Sequence, residues 1–144
     1  MEGKDPHTTA RGDIPREEAK RLIHELQERN KELRLLHDLA VFGTDVTLTL
    51  EDLLQRVVDL IPPAWQYPEE ACARIVVGGV ERQSAGFRQT DWKQAASIRL
   101  GASESGVVEV YYLAEKPERD EGPFLKEERP LIYSLARQTA RIIE

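Results

Sequence analysis

The stretch GVVEVYYLA, residues 106–114, decides the fold, because it is rich in the β-branched and aromatic residues that favour strands. Two other stretches also have the character of strands: ACARIVV, residues 71–77, and KQAASIRL, residues 93–100. A fourth, VERQSAGF, begins at residue 80 directly after Gly78-Gly79, a dipeptide that favours a hairpin turn. The chain is therefore predicted to contain a run of antiparallel strands.

One helix is predicted before these strands. The segment TLTLEDLLQRVVDLIPP, residues 47–63, carries leucine, valine and isoleucine at helical spacing. Thr49 is expected to be the N-cap, and Pro62-Pro63 is expected to end the helix.

Another helix is predicted after the strands, in FLKEERPLIYSLARQTARIIE, residues 124–144. Pro130 is tolerated only in the first turn, so this helix should begin between Lys126 and Arg129. The order of elements predicts an α+β fold, in which helices pack on one face of an antiparallel sheet.

The N-terminal segment divides into a tail and a long helix. Residues 1–15 are polar and contain glycine and proline, which predicts a flexible tail. Its Arg-Gly-Asp tripeptide at residues 11–13 is interpreted as a chance occurrence. Residues 16–42 contain neither proline nor glycine, which predicts one helix, with Gly43 after its C-terminal end. Residues 43–144 form the predicted globular domain.

The helix over residues 16–42 carries a coiled-coil pattern. Its heptad a and d positions are filled by Ile23, Leu26, Asn30, Leu33, His37 and Ala40. Asparagine at an a position fixes the register of two-stranded parallel coiled coils, so the pattern predicts a parallel homodimer. Leu135 and Ile142 of the last helix are expected to flank the seam. Arg29 and Arg34 repel each other across a strict parallel dimer, which indicates a short or splayed seam. The alternative is a single amphipathic helix that lies on its own domain.

Charge and composition exclude several classes of protein. The net charge of −6 and the pI near 5.2 argue against binding to nucleic acid or to anionic membranes. A single cysteine excludes an intramolecular disulfide, and no two histidines share a helix face at close spacing, so no metal or other cofactor is expected. The sequence has no apolar run of membrane-spanning length and no signal peptide, which predicts a cytoplasmic location.

Taken together, the pieces over residues 36–144 resemble a GAF domain, of the compact variety found in bacterial and archaeal signalling proteins such as sensor histidine kinases. The matching pieces are LEDLLQRVVDLIPPAWQYPE (50–69), ACARI (71–75), Phe87 with Trp92, GVVEVYY (106–112) and GPFLKEERPLI (122–132). The resemblance implies a non-catalytic sensory or regulatory module. Its terminal helices would form a homodimer and pass a signal to an output domain in a longer parent chain.

The resemblance also implies that ligands bind on the sheet face that points away from the helices. Strand alternation places Arg74, Glu109 and Tyr111 on that face. Arg74 and Glu109 can pair with each other or present one cation and one anion to a small molecule. Phe87 and Trp92 are expected to supply aromatic walls. An ordinary salt bridge on a solvated face is the alternative.

The stiff bridge PPAWQYPEEACARI, residues 62–75, leads from a helix into the first strand. Its aromatic residue Trp65 either plugs the open end of the sheet or contacts a ligand. Larger GAF domains wall their ligand cavity with extra helices between the second and third strands. Here only SAGFRQTDWK, residues 84–93, spans that interval.

No catalytic residues are predicted. Cys72 lies in a strand with no histidine in the predicted sheet. His24 and His37 each precede an acidic residue, as in kinase phosphoacceptor helices, but the chain has no glycine-rich nucleotide-binding motif. The alternatives to a regulatory module are a structural dimerisation spacer without ligand, a small enzyme that uses Arg74, Glu109 and Cys72, and a histidine phosphoacceptor.

Overall fold

A computed structural model describes residues 15–119 and 122–144 of the chain. The chain divides into two compact units, Met1–Lys31 and Glu32–Glu144. Apart from Pro15, the predicted flexible tail and its Arg-Gly-Asp tripeptide lie outside the described residues. The elements in chain order are α1 (Arg16–Phe42), α2 (Leu50–Ala64), a 3-10 turn (Pro68–Glu70), β1 (Ala71–Val77), β2 (Val80–Gln83), β3 (Lys93–Leu100), β4 (Ser103–Tyr112) and α3 (Glu128–Ile143).

The four strands form one antiparallel sheet in the order β2-β1-β4-β3. Gly78 and Gly79 make the predicted hairpin turn between β1 and β2 with φ angles of 57° and 86°, a conformation that suits glycine. The described residues thus confirm a mixed fold of three α-helices and an antiparallel sheet. Because β2 and β3 lie at opposite edges, the connection at residues 84–92 has to pass from one edge of the sheet to the other.

Strand β4 differs from its prediction at both ends. It begins at Ser103 and not at Gly106, and it ends at Tyr112 and not at residue 114. A register shift in the pairing with β3 lies between Ile98 and Arg99, beside this glycine. A Cβ atom at Gly106 would lie 2.0 Å from the carbonyl oxygen of Val76. Gly106 is therefore a point of close backbone approach inside β4, and it does not mark the start of the strand.

The core lies between the sheet and the helices of the second unit. Strand alternation puts one face of the sheet against the helices, as predicted. That face contributes Ala73, Ile75, Val77, Ala96, Ile98, Val108, Val110 and Tyr112 to the core. The helices contribute Leu35, Leu39, Leu53, Leu54, Val57, Val58, Ile61, Leu131, Ile132, Leu135, Ala136 and Ala140.

The structure contradicts one predicted contact, that of Leu135 with the dimer seam. Its side chain has no exposed surface, because α3 packs this residue inside the core of its own chain. It cannot reach a second chain, so its assignment to a dimer interface was wrong.

Helix α2 begins as predicted but ends slightly later. The Thr49 hydroxyl accepts a hydrogen bond from the Asp52 backbone N–H at 3.1 Å, which makes it the N-cap. The helix then continues through Pro62 and Pro63 to Ala64. The prolines lie in its last turn and do not end it.

Helix α3 begins at Glu128, which puts Pro130 in the first turn as predicted. The carboxylate of Glu128 is completely buried. Its Oε1 accepts from the backbone N–H of Leu125 at 2.9 Å, and its Oε2 accepts from that of Gln66 at 2.8 Å. Gln66 belongs to the bridge between α2 and β1, so one buried side chain ties this bridge to the start of α3.

Replacement of Glu128 by alanine should therefore be costly. Glu128→Ala leaves two backbone N–H groups without their acceptor, and we expect the free energy of unfolding to fall by about 2–4 kcal/mol. Glu128→Gln keeps one acceptor oxygen and should cost less. The measurement is urea unfolding followed by circular dichroism, with the exposed Glu69→Ala as the control. Equal losses for Glu128→Ala and Glu69→Ala would contradict the proposed tie.

Candidate functional site

The sheet face opposite the helices carries a cluster of charged and polar side chains, which we call the Glu109 cluster (Arg74, Glu81, Lys93, Glu109 and Tyr111). Arg74 of β1 lies directly opposite Glu109 of β4 in the register of the sheet. The Nε of Arg74 donates to Glu109 Oε1 at 3.0 Å, and its Nη1 lies 3.5 Å from Glu81 Oε2. The predicted pairing of Arg74 with Glu109 on this face is confirmed.

The carboxylate of Glu109 is satisfied by its own chain. Its side chain is only 9 % exposed, the Tyr111 hydroxyl donates to Oε1 at 2.9 Å, and Lys93 Nζ lies 3.9 Å from Oε2. Burial raises the pKa of Tyr111 to about 12, and the hydrogen bond to the Glu109 carboxylate acts in the same direction. The phenol thus stays protonated and remains a donor. This geometry favours an internal salt bridge over a cation and an anion that are both open to a ligand.

The connection between β2 and β3 covers one end of this face. The ring of Phe87 meets Tyr111 edge-on, with centroids 5.5 Å apart. Arg88 fixes the segment further: its carbonyl oxygen accepts from the Cys72 thiol at 3.5 Å, and its Nη2 donates to the Leu113 carbonyl at 2.9 Å. Phe87 therefore lies beside the Glu109 cluster, on the face where the sequence places it.

Cys72 lacks the surroundings of a nucleophile. The side chain is completely buried under the connection, and this burial raises the pKa of the thiol. Reactive cysteines need the opposite, an accessible thiol with a lowered pKa. The enzyme hypothesis that uses Cys72 therefore has no geometric support.

The two tryptophans lie on the other side of the sheet. Trp92 precedes β3 and packs against the apolar core, because alternation places it with Gln94 and not with Lys93. Trp65 is completely buried, and its indole Nε1 donates to Gln94 Oε1 at 3.1 Å. Neither ring lines the Glu109 cluster. The predicted place of Trp92 on that face was therefore wrong, whereas Trp65 fills the core, the structural one of the two roles that the sequence left open for it.

A second feature, which the sequence analysis missed, is a groove of about 250 Å³ between β3 and α3. Its lining residues are Ser97, Arg99, Tyr133, Ala136, Arg137, Ala140, Arg141 and Glu144. One signal in the sequence could have indicated this groove: Arg137 and Arg141 are four residues apart, which places both on one side of the last helix. Arg99 joins them only through the tertiary fold.

Three further observations bear on function. Within residues 15–119 and 122–144, no group of three or more histidine, cysteine, aspartate or glutamate side chains is placed to hold a metal ion. None of the helices in those ranges combines the length and the apolar character needed to cross a bilayer. Comparisons of the chain with protein-family models, curated proteins and solved structures found no match.

The Arg74–Glu109 pair should contribute measurably to stability. We expect Arg74→Ala to lower the free energy of unfolding by about 1–3 kcal/mol. This is less than the roughly 3–5 kcal/mol typical of a broken buried pair, because Lys93 and Tyr111 still face the carboxylate. A double-mutant cycle with Glu109→Gln, measured by urea unfolding, isolates the pairwise coupling. Coupling indistinguishable from zero would contradict the pair.

The raised pKa of Tyr111 predicts how the stability of the protein responds to alkaline pH. Its pKa is about 12 in the folded chain, against about 10 for an unfolded tyrosine. The folded state holds the proton of the Tyr111 hydroxyl more tightly than the unfolded state does. The contribution of this group to the free energy of unfolding is therefore complete below about pH 10 and is lost as the pH rises towards 12.

Urea unfolding between about pH 9 and 11.5 should therefore show the free energy of unfolding falling more steeply for the wild type than for Tyr111→Phe. Burial also raises the pKa of Tyr112, so the variant should keep part of the slope. Identical slopes for the two proteins would show that Tyr111 titrates normally.

Proposed function

We propose that this chain is a non-catalytic, GAF-like regulatory module that works as a parallel homodimer through α1. The observation that carries the proposal is the exposure of large apolar side chains at the heptad positions of α1. Ile23 is 55 % exposed, Leu26 65 % and Leu33 58 %. Leucine and isoleucine are among the residues most often buried, so several of them exposed at seam spacing favour a partner helix.

The part of α1 that belongs to the second unit has one buried face and one exposed face, and this division supports the proposal. Leu35 and Leu39 are buried in the core of the unit, whereas Leu33, His37 and Ala40 are exposed. A helix that only lies on its own domain needs one apolar face. Here one face is used within the chain, and the heptad face is left for a second copy. This pattern favours the dimer over the single amphipathic helix.

The end of α3 offers a neighbour for the proposed seam. A Cβ atom at Gly43, just after α1, would lie 3.3 Å from Cγ1 of Ile142. The side chain of Ile142 is only partly buried. Ile142 therefore keeps its proposed place beside the seam, in contrast to Leu135.

The regulatory role would follow from the position of the end of α3 beside the end of α1. A change in the packing of α1 against α3 would alter the geometry of the paired helices, and the GAF resemblance implies that such changes pass to an output domain. No part of this route requires catalysis.

A second candidate, a structural dimerisation spacer without ligand, is favoured by one observation. The Glu109 carboxylate is satisfied by Arg74 and Tyr111, and Phe87 covers the neighbouring surface. A sheet face closed in this way suits a spacer better than a sensor that binds its ligand there.

The dimer can be tested by substitutions at the heptad face. Leu26→Lys combined with Leu33→Lys should give monomers, because four lysines would meet in the seam of a dimer. Val46→Lys is the matched control, since Val46 is 94 % exposed and lies outside the heptads. Asn30→Leu should strengthen association and weaken the preference for two parallel strands. The measurement is molar mass by light scattering across a dilution series.

A wild-type protein that remains monomeric at high micromolar concentration would overturn the dimer. So would a Leu26→Lys, Leu33→Lys protein that keeps the molar mass of the wild type. In both cases circular dichroism must show that the fold is retained.

A further inference from the structure

We infer that the groove between β3 and α3 binds a small organic anion that carries phosphate or carboxylate groups, through the guanidinium groups of Arg99, Arg137 and Arg141. All three arginines line the groove. The site is separate from the Glu109 cluster on the sheet face, and it requires no second copy of the chain.

Positive charge is concentrated along this groove. The chain as a whole has a net charge of −6, yet three arginines line one small groove together with a single acidic side chain, Glu144. Arg137 and Arg141 are one helical turn apart, where like charges repel each other. An anion between them and Arg99 would turn this repulsion into attraction.

The guanidinium groups of these arginines are not engaged by the described part of the chain. Among the described residues, neither a side-chain hydrogen bond nor an ion pair engages the guanidinium groups of Arg99, Arg137 and Arg141. Arg74 and Arg88, in contrast, both donate to oxygen atoms of the chain.

The carboxylates at the groove are engaged as well: Glu104, opposite Arg99 in the sheet, accepts from the hydroxyl of Ser97 at 3.1 Å. The carboxylate that lines the groove itself is that of Glu144, whose Oε2 accepts from the backbone N–H of Gly101 at 2.8 Å. This contact holds the acidic side chain at the end of β3. The guanidinium groups therefore keep their donors for a ligand.

The lining of the groove combines a small apolar floor with charged donors. Ala136 and Ala140 are buried small residues that leave room above α3, and Tyr133 adds a half-exposed ring. An apolar floor beneath charged donors suits a ligand with a carbon skeleton and an anionic group. Guanidinium forks match phosphate and carboxylate oxygens in paired hydrogen bonds. The volume of about 250 Å³ suits a small molecule.

The test uses the full chain, labelled with ¹⁵N, and two probes: glycerol 3-phosphate and succinate. Each probe is titrated at constant ionic strength against a sodium chloride reference, and backbone amide shifts are followed by NMR. We expect saturable shifts confined to the end of β3 and the last turns of α3. Saturation by glycerol 3-phosphate alone assigns a phosphate ligand, and saturation by succinate alone assigns a dicarboxylate.

Variants separate a built site from general attraction of anions. Arg137→Gln and Arg99→Gln should each weaken binding about tenfold, because each removes a charge-assisted hydrogen bond. Arg56→Gln removes the same charge from the exposed surface of α2 and should leave binding unchanged. Shifts that match those of sodium chloride with both probes, or equal weakening by Arg56→Gln and Arg137→Gln, would overturn the site.

Discussion

Alternation along β1, β3 and β4 places most of the large apolar side chains of the sheet on one face, and the rest of the domain follows from the need to cover that face. Helices α2 and α3 pack there, around Leu54, Ile61 and Leu135. Since β2 and β3 lie at opposite edges of the sheet, their connection passes between the edges and covers the polar face above Cys72 and Tyr111.

Covering the apolar face also brings together groups that are distant in sequence. The buried carboxylate of Glu128 joins the bridge after α2 to the first turn of α3. The indole of Trp65 reaches Gln94 of β3 inside the same core. On the outer side of α3, the packing of the helix against β3 creates the arginine-lined groove. The proposed anion site is thus a consequence of how the core is closed.

Local signals predicted much of the fold. The spacing of apolar residues and the positions of glycine and proline predicted the observed bounds of β1, β3 and α1, because the formation of strands and helices depends on neighbouring residues. The Arg74–Glu109 pair was also predictable, since alternation puts both side chains on one face.

The side on which Trp92 lies follows from its alternation with Gln94 and Ala96, and its assignment to the polar face overlooked this signal. The other errors concern contacts that depend on tertiary placement. Sequence could not reveal that Leu135 points into the core of its own chain. The same holds for the burial of Glu128 and for the meeting of Arg99 with the arginines of α3. Nothing in the local pattern around Leu135, Glu128 or Arg99 distinguishes the observed contacts from the alternatives.

The central claim, that α1 pairs in parallel with a second copy, is tested most directly by distances along that helix. Nitroxide labels attached to cysteines that replace Glu18, Glu25 and Glu32, one site per protein, report the separation between two copies by pulsed electron paramagnetic resonance. These sites repeat at the heptad spacing, and the native Cys72 is buried and should not react. The account predicts a similar distance at all three sites, with no more than a gradual increase towards one end where the seam splays. Clearly different distances at the three sites would indicate antiparallel helices, and the absence of a dipolar signal would indicate a monomer; either result would contradict it.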